Sequence, residues 1–142
     1  MSNANIKLVQ DAYAAFGRGD ILACVAMFMP DGAIGIVGRR QDAPFFGMFS
    51  GKDIPEFFKQ LDAAHAISKF EPQRFLAAED KVLVWGRYSW TMRASGVSDT
   101  TSWFHEITVR DGKMAEWLGH NDTAMLAAAY HAASSLKRTA NG

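Results

Sequence analysis

Residues 81–126 constrain the fold more than any other part of this chain: KVLVWGRYSWTMRASGVSDTTSWFHEITVRDGKMAEWLGHNDTAML. Large apolar residues alternate with polar ones over 81–93, 99–110 and 113–120, the period of strands with two distinct faces. Asp111-Gly112 is a two-residue hairpin signal between the last two. The stretch predicts three long antiparallel strands followed by a helix that opens near Asp122. It holds all four tryptophans, His105, His120 and Asp122. Ionisable groups set among aromatics in a sheet mark either a pocket or an expensive piece of structure.

Upstream the period changes. Ile6, Val9, Tyr13 and Phe16 recur at spacings of three and four, predicting a helix over 5–17 that Gly17 ends. Asp20 is placed to cap a second helix over 21–28, which Pro30-Asp31-Gly32 breaks. AIGIVG, 33–38, reads as a short strand. Residues 39–51 lack a clean period yet carry Phe45, Phe46, Met48 and Phe49, so this loop should fold over the core or over a cavity mouth. Asp53 is expected to cap a third helix through 65, with Pro55 in its first turn. After Pro72, residues 73–79 read as another strand, and 122–138 as an Ala-rich helix. Helices on one side of a curved antiparallel sheet make an α+β fold. A single domain spanning 1–142, with a flexible tail from about 134, is the expectation at this length.

Lys and Arg number 15 against 15 Asp and Glu. No basic field exists to hold nucleic acid. The lone Cys24 excludes an internal disulfide and a Cys-rich zinc site, and its LACVAMF setting reads as a buried, inert thiol. No apolar run is long enough to span a bilayer and no signal-peptide core opens the chain, so a soluble cytoplasmic protein without membrane contact is expected.

Alternation sorts the strand residues by face. Trp103, His105, Ile107 and Val109 share one side of 99–110; Phe104, Glu106, Thr108 and Arg110 take the other. In 81–93, Tyr88 and Trp90 face away from Leu83 and Trp85. Helices can cover only one face. The second needs its own cover, either another subunit, giving a homodimer packed sheet to sheet, or the C-terminal helix over Trp85.

Two segments, VQDAYAAFGRGDILACVAMFMPDGAI and FHEITVRDGKMAEWLGHNDTAML, make the chain resemble the NTF2-like superfamily in its SnoaL-like, ketosteroid-isomerase-like branch. The first is similar to that family's helix–GD–helix opening. The second is similar to its strand, R-D-G-K turn and Asp before the last helix. The resemblance implies a cone-shaped α+β barrel, a hydrophobic internal pocket and a dimer, with no cofactor. Asp122 falls on the acid/base position of the polyketide-cyclase-like members, and His105 on a pocket position. The isomerase positions fall near Ala12, Ile36 and Phe104, and none of their functional groups is retained.

Each candidate keeps a structural alternative. Asp122 could abstract a proton next to a carbonyl, or simply cap the helix. His105 could stabilise the enolate oxygen, or be a core histidine. His120 would join them on Asp122's side of the strand, and the three could form a metal set, although no ligand spacing supports one. Tyr13, Tyr88, Trp90, Trp103 and Trp117 are pocket walls or plain core. His65 and His131 are expected to be solvated on helix surfaces, and Arg39-Arg40 to be solvated or to meet an anionic ligand group. The expected function is binding of a small hydrophobic carbonyl-bearing molecule, with acid/base chemistry on Asp122 and His105; the alternative is a binding or interaction module without turnover.

Overall fold

The computed structural model describes residues 2–141, with side chains over 3–132. The flexible tail expected from about 134 lies outside these described side chains. Helix α1 (Ser2–Gly17) and helix α2 (Ile21–Ala26) precede strand β1 (Phe28–Ile36) and a short β2 (Gly47–Ser50). A 3₁₀ turn (Gly51–Asp53) leads into α3 (Ile54–Ala64). Then come β3 (His65–Ala78), β4 (Lys81–Met92), β5 (Ser98–Arg110) and β6 (Lys113–Asn121), and α4 (Thr123–Asn141).

The six strands form one curved, unclosed sheet in the order β2-β1-β6-β5-β4-β3, and the fold is mixed α+β. β3 to β6 form an antiparallel meander. β1 runs parallel to β6, not antiparallel as expected. No hairpin joins these two strands, so local turn geometry does not set their relative direction. The β5–β6 turn is the one expected: Asp111 (φ 51°) and Gly112 (φ 74°) both take the positive φ that a tight two-residue hairpin requires.

Helices α1 and α3 lie on the concave side, α1 against β3 and β4 and α3 against β1, β2 and β3. Val9, Ala12, Tyr13 and Ala15 supply the buried stripe of α1. Asp20 caps α2 as expected, accepting from Ala23 N at 3.1 Å. Asp53 makes no such bond to α3. It stands in helical backbone (φ −89°, ψ −4°) at the end of the 3₁₀ turn, whereas a capping side chain needs an extended backbone to turn back on the first turn. Phe45 and Phe46, in the apolar loop, are fully buried and pack edge-on at 4.9 Å, and Phe45 also stacks on the His65 ring at 4.9 Å.

β3 begins eight residues earlier than the expected strand and takes in His65, which the sequence placed on a helix surface. His65 is 0% exposed. Pro72 disguised this strand, because proline cannot donate to a ladder. β3 is the edge of the sheet, so the missing N–H is tolerated, and the register shifts between Pro72 and Arg74.

The two sheet faces separate by parity. Inside, Val84, His105, Gly119 and Ile36 form one cross-strand row. Outside, Arg74, Trp85, Phe104 and His120 form another. His120 therefore lies exposed on the face opposite His105. Gly86 decides how the inner row closes. A Cβ there would collide with Trp103 Cζ2 and come within 2.5 Å of the Glu71 carbonyl oxygen. The missing side chain lets the Trp103 indole lie flat over β4.

The Gly86→Ala variant is expected to lose about 1–3 kcal/mol of stability through overpacking. Urea unfolding measures it, and an unchanged midpoint would mean that Trp103 can move aside freely.

Candidate functional site

A cavity of about 70 Å³ lies between the inner face of the sheet and helices α1 and α3. Tyr13 reaches it from α1, Tyr88 from β4, Trp103 and His105 from β5, and Trp117 and Asn121 from β6. The remaining walls are apolar, and no Asp, Glu, Lys or Arg lines it among the described residues. An open groove of about 710 Å³ adjoins it, bounded by the α1–α2 turn, α3 and β3. The two spaces share Phe16, Phe58, Leu61, Ile67 and Phe70. These five side chains are the partition between solvent and the inner cavity.

Tyr13 Oη and His105 Nδ1 lie 2.8 Å apart. Burial pushes the Tyr13 hydroxyl pKa far above its ordinary value, so it stays protonated. Burial, with a smaller contribution from His120, brings His105 down from 6.5 to about 3, so its ring is neutral at physiological pH. A neutral imidazole has one N–H and one lone pair on nitrogen. If Tyr13 donates to Nδ1, the free proton is on His105 Nε2; if Nδ1 donates, the Tyr13 O–H is free. In either tautomer the pair keeps one donor for a third group. The rings around it are stacked closely: Trp103 lies 4.1 Å from His105, and Trp117 meets Tyr13 edge-on at 5.1 Å.

A second polar chain sits deeper. His65 Nδ1 is 2.8 Å from the Leu61 carbonyl oxygen, and His65 Nε2 is 3.1 Å from the Tyr88 hydroxyl. The Asn121 side chain approaches the Tyr88 hydroxyl and lowers its pKa slightly against the effect of burial. Burial holds the Tyr88 pKa above and the His65 pKa below their ordinary values, so both are uncharged. Cys24 also touches the cavity, and burial pushes its thiol up to about 11, which keeps it protonated and inert.

Of the residues singled out in the sequence, Tyr13, His105, Tyr88, Trp103 and Trp117 meet at this cavity. Trp90 does not; it is core, with Nε1 donating to Thr101 Oγ1 at 3.0 Å. His120 does not, because it points to the outer face, and so no two-histidine, one-carboxylate set is assembled. Asp122 is exposed, and its carboxylate accepts from Met125 N at 3.1 Å at the start of α4. It is the helix cap and stands apart from the cavity lining. The pocket position at the end of β6 belongs to Asn121, one residue earlier. Extending the alternation from Trp117 through Gly119 would have found it. Among the residues expected on the surface, His131 is exposed and donates to the Asp42 carbonyl at 2.8 Å. Arg39 pairs with Asp42 at 3.0 Å, and the Arg40 guanidinium lies 4.3 Å over Phe49.

Comparison with known proteins gives a consistent answer. The SnoaL-like domain family matches residues 9–117. An NTF2-like protein of Burkholderia xenovorans LB400 is 28% identical over 92% of this chain and 98% of its own, with a TM-score of 0.81. One from Burkholderia thailandensis E264 is 27% identical over 88% and 95%, with a TM-score of 0.78. A polyketide-cyclase-like protein of Xanthomonas campestris shares the fold at 16% identity over 91% and 98%, with a TM-score of 0.73. No curated protein of assigned function matches.

The neutral histidines make stability depend on pH. Their pKa values are lowered by folding, so below about pH 6.5 the unfolded chain takes up protons that the folded chain refuses. Stability is full above that pH and falls as pH drops towards 3. His105 alone is expected to remove roughly 2 kcal/mol between pH 7 and pH 5. Urea unfolding of the wild type and of His105→Leu measures it, and a loss of equal size in both would show that His105 carries none of the dependence.

Proposed function

The chain belongs to the SnoaL-like domain family, and we propose that it uses this fold to bind a small, uncharged, largely apolar molecule bearing a carbonyl group. The observation that carries this reading is the Tyr13–His105 pair, set in a cavity with no charged side chain among the described residues. Its leftover donor needs an acceptor, and a carbonyl oxygen is the natural one. A charged ligand would meet no counter-charge there and would pay its full desolvation. The aromatic walls favour a flat or cyclic body.

The cavity itself is small beside the ~300–1,000 Å³ of common ligand pockets. A ring-sized ligand therefore enters through the outer groove and displaces the shared side chains, with its carbonyl inward. Acid/base turnover has less support than binding. An imidazole with a pKa of about 3 is a weak base, and Asp122 is engaged at the α4 cap. If the bound carbonyl reacts, the Tyr13–His105 pair polarises it by donating a hydrogen bond.

The outer face supports self-association as a dimer. Trp85 is 37% exposed beside Phe104 at 5.1 Å, and Leu76, 46% exposed, pairs with Leu83 in the next row. A two-fold axis through this face would bury both rows against their copies.

Acetophenone is a suitable probe of the cavity. Calorimetry is expected to show about fivefold to tenfold weaker binding to Tyr13→Phe and to His105→Leu, while α-methylstyrene, which lacks the oxygen, binds all three proteins alike. Equal acetophenone affinities would overturn the carbonyl reading. For the outer face, Trp85→Lys is expected to sediment as a monomer with unchanged acetophenone affinity; a wild type that is already monomeric would exclude the dimer.

A further inference from the structure

Two buried polar atoms have no partner among the described residues: Trp103 Nε1 and Asn121 Oδ1. Both belong to the cavity wall. Trp103 and Asn121 are direct partners across β5 and β6, so their side chains leave the same face side by side. Trp103 is 3% exposed, so its indole N–H has no bulk water to turn to. An indole nitrogen can only donate and an amide oxygen can only accept. One unmet donor and one unmet acceptor thus belong to the same cavity wall, the donor on an indole that leans over β4.

The polar chain behind them fixes this arrangement. A carbonyl oxygen only accepts, so His65 Nδ1 carries the proton towards Leu61. Neutral His65 then accepts at Nε2, and the Tyr88 proton is committed to it. What Asn121 can offer the Tyr88 oxygen is its N–H. Asn121 Oδ1 itself finds no partner among the described residues. His65, buried at the wall of the outer groove, acts through Tyr88 as a positioning residue for this corner of the cavity.

We infer that Trp103 Nε1 and Asn121 Oδ1 form a subsite that reads a neutral hydroxyl group. A hydroxyl accepts from the indole and donates to the amide with a single oxygen. A ketone or ether satisfies Trp103 alone. A carboxylate brings an acceptor against Asn121 Oδ1, and an ammonium has nothing for Trp103 to donate to. The hydroxyl is also the smallest group that meets both needs in so small a cavity. Trp103 stacks 4.1 Å from His105, which sets this subsite beside the Tyr13–His105 pair. The ligand class is then a neutral hydroxy-carbonyl compound whose two oxygen functions are a few bonds apart. This assignment rests on the carbonyl reading and refines it.

The test compares 3′-hydroxyacetophenone with 3′-methylacetophenone, which has the same shape without the hydroxyl, by calorimetry on the full chain. The wild type is expected to prefer the hydroxyl probe by about fivefold to tenfold. Trp103→Phe keeps an aromatic ring without the N–H, and Asn121→Leu keeps volume without the amide; each is expected to abolish the preference. The affinity of the methyl probe in each variant reports whether the cavity is intact, and the wild-type comparison decides even where a variant fails to fold. If the methyl probe binds the wild type as well as the hydroxyl probe, or the preference survives in both variants, the subsite is overturned and the carbonyl reading stands. If neither probe binds the wild type, both fall together.

Discussion

The hydrogen bond between Tyr13 and His105 joins residues 92 apart in sequence and ties the first helix to the middle of the sheet. Everything at the cavity depends on it. It places α1 so that Tyr13 faces β5, and it holds the imidazole in a ring of aromatics where neither partner can carry charge. Without this contact two polar groups would be buried unpaired, and the inner face would have to close up or take in water. The cavity exists because the two groups satisfy each other while leaving one donor unspent.

A cavity with one histidine and two tyrosines, and no carboxylate or cation among the described residues, has a chemical consequence. All of its polar groups act as neutral hydrogen-bond donors and acceptors at physiological pH. Recognition there is by count and direction of hydrogen bonds, and weakly by charge. Such a site discriminates by leaving a wrong ligand's groups unpaired, which penalises mismatches more than it rewards matches. The resemblance to polyketide-cyclase-like proteins implied a carboxylate at this strand end, and the cavity lining holds none among the described residues. The change is local: an amide, Asn121, on the inner face and the acid, Asp122, one residue later on the helix cap.

The meander and the part of the cavity wall made by Tyr88, Trp103, His105 and Trp117 were legible in the sequence, because alternation in β4 and β5 is unbroken and Asp111-Gly112 leaves one register for β6. Parity alone put Trp103 and His105 on one side and Trp85 and Phe104 on the other. What was missed follows from features that act at a distance. Pro72 reads as a break, and only the position of β3 at the edge shows why a strand can continue through it. His65 reads as the last residue of a helix, and only the turn into β3 buries it under Phe45. Asn121 was overlooked because a strand-end Asp next to a helix satisfies the motif and the cap alike. A shift of one residue separates inside from outside in a strand, and a motif does not resolve that shift.

Pro72 has one more effect, on what the molecule avoids. The sheet is open, so it has two free edges. One, β2, is only four residues long. The other, β3, spans fourteen residues, and its ladder is interrupted by the proline and by two register shifts. Neither edge offers a long, regular row of unpaired amides on which another chain could add a strand. The irregularity that hid β3 from the eye also hides it from neighbouring copies. An open sheet can thus discourage edge-to-edge pairing, and association is left to faces, where side chains can choose the partner.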